Sequence, residues 1–219
     1  MSKVWIIGHR GAADCLENTI PSFQSALAKG ANGLEFDVRQ SGDGQLVVVH
    51  GAVVGEHAVK SNPYETFRQL PDDNEVPLFK DVLKKFGKKT FLDIEFKHPG
   101  FEEEAVTLIR KFCNLEKVMV SGFDTESLQK VHDLAPEIQL GFIYNRTQDE
   151  ESRHNCPVDI VIPQFRLASR QLIDEVHDEG LLVWAWTVND EAEMKRLLSL
   201  GVDGLITDHP ELVKAVLKS

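Results

Sequence analysis

The feature that most constrains this chain is a repeat of pattern. Apolar runs of strand length alternate with amphipathic stretches of helix length from one end to the other. Candidate strands occupy residues 4–8, 33–38, 90–96, 117–121, 139–143, 159–162, 181–188 and 203–207. Candidate helices fall between them at 19–29, 76–86, 102–112, 124–134, 169–179, 191–200 and 210–217. Glu17, Asn18 and Thr19 form a polar cap for the first helix, and Gly87, Gly180 and Gly201 are stop signals for later ones. Strands alternating with helices in this way make parallel βα units. Eight units within 219 residues predict a single-domain (β/α)8 TIM barrel. A doubly wound open sheet is the runner-up, but its glycine-rich phosphate loop after the first strand is missing.

Two stretches break the pattern. Residues 147–155 are short and polar and read as a single turn or loop. An extra extended piece at 46–50 follows Ser41, Gly42, Asp43 and Gly44, a hairpin signal after strand two. Residues 51–76 then read as a short lid or insertion, irregular over 62–74, where Pro63, Pro71, Asp72 and Asp73 cluster.

The net charge of -11, without a basic run, argues against nucleic acid and anionic membranes as partners. A small anion remains admissible, because a cleft can differ in sign from the whole. Cys15, Cys113 and Cys156 are too few and too scattered for a disulfide framework or a CxxC metal site. The apolar run near the start is too short for a signal-peptide core. No segment approaches a membrane span, so stable membrane insertion is not expected and the expected compartment is the cytoplasm. The oligomeric state is not legible.

In a parallel barrel, chemistry gathers at the carboxyl ends of the strands. The polar residues there are His9 and Arg10 on strand one, Glu35 and Asp37 on strand two, and His50 after the hairpin. Strand three carries Asp93, Glu95 and Lys97; strand seven carries Trp184, Trp186 and Asn189; strand eight ends at Thr207 and Asp208. Strand period sharpens the list. Glu35 and Asp37 share one face, as do Glu95 and Lys97, while Leu34, Phe36, Val38, Ile94 and Phe96 take the other. Inward carboxylates need a partner. Three of them, Glu35, Asp37 and Glu95, suit one hard divalent cation, Mg2+ or Ca2+. The competing reading is a salt-bridge network with Arg10, Arg39 or Lys97. His9 and His50 are candidate acid and base, since imidazole titrates near neutrality. Among the other histidines, His98 follows Lys97 and is only a minor candidate for the site border, His209 starts a helix, His132 and His177 are helix-surface residues, and His57 and His154 lie in loops. Trp184 and Trp186 share a face, either filling the core or walling the substrate.

Read in order, these residues resemble the glycerophosphodiester phosphodiesterase family. The resemblance rests on His9-Arg10-Gly11, Glu17-Asn18-Thr19, the stretch from Gly33 to Val38, Val47 to His50, Pro77-Leu78, Glu95-Phe96-Lys97, Trp186 to Asn189, and Gly204 to Pro210. It implies a barrel that hydrolyses glycerophosphodiesters, small-molecule substrates, to an alcohol and sn-glycerol 3-phosphate. It also implies Glu35, Asp37 and Glu95 as metal carboxylates and His9 and His50 as the acid/base pair. Arg10 and Lys97 match phosphate-contacting cations, and Asn18 a polar residue at the metal edge. Two routes of attack are open: by the glycerol hydroxyl beside the phosphate, through a cyclic phosphate, or by water directly. Gly51 stands where the family usually has an aspartate. Two other functions compete. One is a lysophospholipase D-like lipid phosphodiesterase, with Val53, Val54, Tyr64 and Phe67 as its apolar rim. The other is a weakly catalytic glycerophosphodiester-binding protein.

Overall fold

A computed structural model describes residues 4–218. Met1, Ser2 and Lys3, which open the segment read above as no signal peptide, lie outside the described residues. Eight parallel strands close into a barrel: β1 (Trp5–His9), β2 (Gly33–Gln40), β6 (Phe91–Phe96), β7 (Val118–Gly122), β8 (Gln139–Tyr144), β9 (Ile160–Pro163), β10 (Leu182–Ala185) and β11 (Gly204–Thr207). Closure comes from β1, which pairs with both β11 and β2. The open-sheet alternative is therefore excluded. Helices α1 (Ile20–Lys29), α2 (Phe79–Phe86), α3 (Glu102–Phe112), α4 (Thr125–Leu134), α5 (Arg170–Asp178) and α6 (Glu191–Leu200) connect strands, and α7 (Pro210–Val216) follows the last of them. Between β8 and β9 the connection is a 3-10 helix, Thr147–Asn155, longer than the single turn expected there.

Strand alternation sorts the core into two. Leu34, Phe36, Val38, Leu92, Ile94 and Phe96 point outward and pack beneath the helices. Ile7, Phe91, Met119, Ile143, Ile160, Ile162, Trp184 and Ile206 fill the barrel axis. Trp5, Phe91 and Trp184 stack at its base, with ring centroids 4.7–5.8 Å apart. Trp184 is thus core, whereas Trp186 lies at the mouth.

The hairpin forms as expected. β3 (Leu46–Val48) pairs antiparallel with β2, and the turn closes through the Ser41 amide donating to the Gln45 carbonyl at 2.9 Å. Helix α2 begins three residues later than its sequence pattern predicts. The Val48 amide donates to the Pro77 carbonyl, and Leu78 bridges Val47, so residues before Phe79 extend the sheet edge. Proline also biases its predecessor, Val76, away from helix.

Residues 51–76 are more ordered than their composition suggests. A small hairpin, β4 (Val53–Val54) with β5 (His57–Ala58), is followed by 3-10 turns at Val59–Ser61 and Tyr64–Thr66. Val59, Tyr64, Phe67 and Val76 build a small core against Val47. Tyr64 and Phe67 are buried, and the Tyr64 hydroxyl donates to the Val76 carbonyl at 2.8 Å. They add nothing to the apolar rim that the lipid-phosphodiesterase alternative needs, which leaves Val53 as its exposed member. Their rings are consumed in holding the insertion together.

Candidate active site

The strands deliver their polar residues to one end of the barrel, around a cavity of about 240 Å3. His9, Arg10, Glu35, His50, Glu95 and Lys97 all line it. Asp37 lies fully buried just behind them. Register explains the convergence: Glu35 is level with Asp93, and Asp37 with Glu95, across the parallel β2–β6 pair. Four inward carboxylates therefore form a two-by-two block.

Arg10 and Lys97 contact the upper half of that block. The Arg10 Nε lies 3.2 Å from Asp37 Oδ2. The Lys97 Nζ lies 3.3 Å from Asp37 Oδ1 and 2.5 Å from Glu95 Oε1. The salt-bridge reading is thus realised in part, but two cations do not balance four carboxylates. Oxygens of Glu35, Asp37 and Glu95 lie within 4.8 Å of one another. Glu35 Oε1 and Asp37 Oδ1 are buried without a hydrogen bond. An all-oxygen cluster with orphaned acceptors fits a hard divalent ion.

Electrostatics carry the same message. Burial, then repulsion from Asp37, Glu95 and Asp93, holds the Glu35 carboxyl well above its usual range. Burial and Asp37 push Glu95 up to about 7, with Lys97 opposing. Burial pushes Asp93 up to about 8, against the hydrogen bond from Ser121. For Asp37 burial also pushes upward, but Lys97, Arg10 and the Asn18 bond outweigh it and leave the carboxyl below its ordinary value. A concentration of positive charge at this spot would reverse the first three shifts.

The loop after β1 is shaped for the site. Gly11 adopts φ +101°, and a Cβ there would overlap Ser22 of α1. Ser22 donates its hydroxyl to the Arg10 carbonyl at 2.7 Å. Arg10 and Asn18 both hold left-handed backbone, at φ 51° and 57°, a conformation non-glycine residues adopt at a cost. It directs the Arg10 amide onto Glu35 Oε2 at 2.8 Å. The Asn18 side chain donates to Asp37 Oδ2 at 2.8 Å and accepts the Asp37 amide. Asn18 therefore buttresses Asp37 and does not line the main cavity.

The two histidines have unlike surroundings. His9 Nδ1 sits 2.7 Å from Asp208 Oδ1. The other Asp208 oxygen accepts from the Asn189 amide nitrogen. Asn189 is itself fixed, because its carbonyl accepts from the Asp208 amide at 2.9 Å and the Thr207 hydroxyl at 3.1 Å. With Nδ1 engaged, the ring's Nε2 is left for the cavity. The His50 ring has no hydrogen-bond partner among the described residues. Burial, reinforced by Arg10 and Lys97, lowers its pKa against the pull of Asp37. Gly51 next to it is dictated by space: a Cβ would stand 2.8 Å from the Val53 carbonyl oxygen, so an aspartate here requires the turn to move.

Opposite the carboxylates the wall is apolar. Trp186 donates its indole N–H to the Ile162 carbonyl at 3.1 Å and turns its ring to the cavity. Phe123 meets that ring edge-on at 5.8 Å. Residues 51–76 do not line the main cavity; Gly51, Val53, Val54, Leu70 and Val76 line a second groove that meets it at His50. His98 does not border the main cavity. It accepts the Gln40 amide and packs against Phe101. His209 occupies the start of α7, as expected.

Sequence reading gave three strand-end residues no role and missed two others. Asp93 was legible as the residue two before Glu95 on the same face. Asp208 and Asn189 were visible as strand-end polar residues, but their pairing with His9 spans the closed barrel. Phe123 and Asn145, both lining the cavity, carried no signal of period or motif.

Comparisons with known proteins fit this geometry. Residues 9–212 match the family model described as "Glycerophosphoryl diester phosphodiesterase family". The chain is 32% identical, over 232 residues, to a protein named glycerophosphodiester phosphodiesterase from Caldanaerobacter subterraneus subsp. tengcongensis, covering 95% of this chain and 96% of that relative. A solved structure from Silicibacter pomeroyi superposes with TM-score 0.89 at 25% identity, covering 99% of this chain and 94% of the other. An Oleispira antarctica phosphodiesterase, solved in complex with its product sn-glycerol-3-phosphate, superposes with TM-score 0.86 at 24% identity, over 98% and 97% of the two chains.

Proposed function

The chain belongs to the glycerophosphoryl diester phosphodiesterase family, and from that premise we propose that it hydrolyses glycerophosphodiesters to an alcohol and sn-glycerol 3-phosphate. The observation that carries the reading is convergence: three buried carboxylates, two cations and two unlike histidines meet at the open end of one barrel. The product named for the Oleispira relative is in keeping with it.

Glu35, Asp37 and Glu95 would hold one divalent cation, Mg2+ or Ca2+. An ion held there would supply positive charge to offset the phosphate and to make a neighbouring hydroxyl more acidic. Arg10 and Lys97 meet the phosphate oxygens and stabilise the charge that builds as phosphorus becomes five-coordinate. His9 takes the proton of the attacking oxygen, whether a glycerol hydroxyl or a water, through Nε2. Asp208 holds the ring in the tautomer that leaves this nitrogen free and stabilises the imidazolium that forms. His50 gives its proton to the departing alkoxide as the phosphorus–oxygen bond breaks. The phosphodiester's negative charge, offsetting Arg10 and Lys97, lets His50 keep that proton until then. On the glycerol-hydroxyl route water then opens the cyclic phosphate, with His50 taking the water's proton and His9 returning one to the glycerol oxygen. Asn18 orients Asp37, and Trp186 walls the organic part of the substrate.

The chain would act as one barrel domain, with residues 51–76 as an insertion that shapes headgroup choice from the groove beside His50. No helix among the described residues is long and apolar enough to cross a membrane. Three free cysteines suit a reducing compartment, which supports a cytoplasmic location. The test is turnover of glycerophosphocholine and glycerophosphoethanolamine, with and without chelator. Release of sn-glycerol 3-phosphate, abolished by chelator and restored by Mg2+ or Ca2+, is expected. Binding without turnover at any cation concentration would refute the reading.

A further inference from the structure

One member of the carboxylate block has no place in that scheme. Asp93 is fully buried, level with Glu35, and lines the same cavity. Ser121, also fully buried on β7, donates its hydroxyl to Asp93 Oδ1 at 2.5 Å. The second oxygen, Oδ2, has no hydrogen-bond partner. Glu35 beside it is similar: Oε2 accepts the Arg10 amide, and Oε1 has no hydrogen bond. Arg10 and Lys97 make their ion pairs with the upper half, Asp37 and Glu95. No side-chain cation among the described residues pairs with the lower half. Formally, four carboxylates less two side-chain cations leave two negative charges, the complement of one divalent ion. With the three ligating carboxylates alone the remainder would be one. An unpaired buried carboxylate is expensive, and a structural polar pair would be expected to satisfy both oxygens.

We propose that Asp93, oriented by Ser121, is a positioning residue of the cation site, and that the negative charge on its unpartnered oxygen would help retain an ion held by Glu35, Asp37 and Glu95. The inference rests on the metal reading above. Ser121 is then the hydroxyl that keeps the carboxylate aimed at the axis.

The experiment is calorimetric titration of the chelator-stripped protein with Mg2+ and with Ca2+, beside melting temperatures with and without cation. It compares wild type with Asp93→Asn, Ser121→Ala and Glu35→Gln. For Asp93→Asn the cation Kd should rise about 10- to 100-fold, the usual range for outer partners of a metal site. Its metal-free melting temperature should be no lower than that of wild type, and the rise in melting temperature on adding cation should shrink. Ser121→Ala should move Kd in the same direction by a smaller factor. An Asp93→Asn Kd within twofold of wild type overturns the inference. So does an equal fall in melting temperature with and without cation, the mark of a merely structural pair. If Asp93→Asn does not fold, Ser121→Ala decides, and an unchanged Kd there overturns it. Glu35→Gln separates the two failures. If wild type and Glu35→Gln bind alike or not at all, the metal reading falls and takes this inference with it. If Glu35→Gln alone weakens binding, only the role of Asp93 falls.

Discussion

Replacing Asp208 with Asn should be more damaging than replacing it with Ala, and the reason lies in how Asn189 is tied down. The Asn189 carbonyl accepts two hydrogen bonds, so its amide nitrogen must point at the second oxygen of residue 208. An asparagine at 208 must therefore turn its own carbonyl toward Asn189 and its NH2 toward His9. That group donates to Nδ1, moving the ring proton to Nε2, where the base needs a lone pair. Two losses add. The charge-assisted bond to the imidazolium is worth about 1.5–3 kcal/mol, and the lower half of that range applies because the Asp208 side chain is 32% exposed. Undoing the wrong tautomer costs a further ~1 kcal/mol, one ordinary hydrogen bond. The sum, about 2.5–3 kcal/mol, is roughly 10^2-fold in kcat. Asp208→Ala incurs only the first loss, roughly tenfold. The double variant Asp208→Asn, Asn189→Asp should regain about fivefold over Asp208→Asn alone, the ~1 kcal/mol of the tautomer term, because an acceptor at 189 lets the amide introduced at 208 turn back. Steady-state kcat and KM on glycerophosphocholine, with melting temperatures as a folding control, decide the matter. If Asp208→Asn is no worse than Asp208→Ala, or the double variant no better than the single, Asp208 does not set the tautomer of His9.

With a nitrophenol leaving group, protonation of the departing oxygen matters little. His50→Ala should then recover most of its rate while His9→Ala stays at least ~10^2-fold slow; the opposite pattern exchanges the two roles. The pKa values of Glu95 and Asp93, raised to about 7 and about 8 from ordinary values of 4.5 and 3.8, set a stability slope. Raised carboxyls contribute stability that is complete below about pH 4 and lost as pH rises through 7 and 8. The melting temperature in chelator should accordingly fall between pH 5 and 8.5, with Mg2+ flattening the fall; parallel curves would contradict the cation reading. Lengthening the 51–76 insertion by grafting should reorder headgroup preference, measured as relative kcat/KM, because its residues line the groove at His50; uniform loss on every headgroup in a folded protein would count against that role.

Much of this was readable because period-2 alternation is rigid. Once β2 and β6 are strands, Glu35 and Asp37 must share a face with each other, and Asp93 with Glu95. The seven residues Glu35, Asp37, Glu95, His9, His50, Arg10 and Lys97 all lie at the strand ends where the pattern placed them, and all but the buried Asp37 line the cavity. What escaped depends on contacts that linear order does not encode. The His9–Asp208 pair joins the first and last strands, and only closure of the barrel brings them together. Asn18, read as a polar residue at the metal edge, bonds Asp37 itself, one of the three carboxylates of that cluster, a specific contact that sequence does not encode. The insertion was misread as irregular because its prolines and acids mask four core residues, Val59, Tyr64, Phe67 and Val76, whose spacing follows neither helix nor strand.

The aromatic floor of Trp5, Phe91 and Trp184 gives the barrel one exit. Nothing drains through the base, so whatever enters past Trp186 and Phe123 must leave the same way. Departure then has an order. With the phosphate on Arg10 and Lys97 as proposed above, the alcohol would lie nearer the rim and go first, and the phosphate fragment would go last. Glycerol 3-phosphate should therefore compete with substrate for the empty protein, while the free alcohol should inhibit only through the product-bound form. The three tryptophans divide along the same axis, two on the floor and one at the mouth. Quenching by an aqueous iodide probe should reach the partly buried Trp5 and Trp186 and spare the buried Trp184, and a ligand in the mouth should protect Trp186 alone.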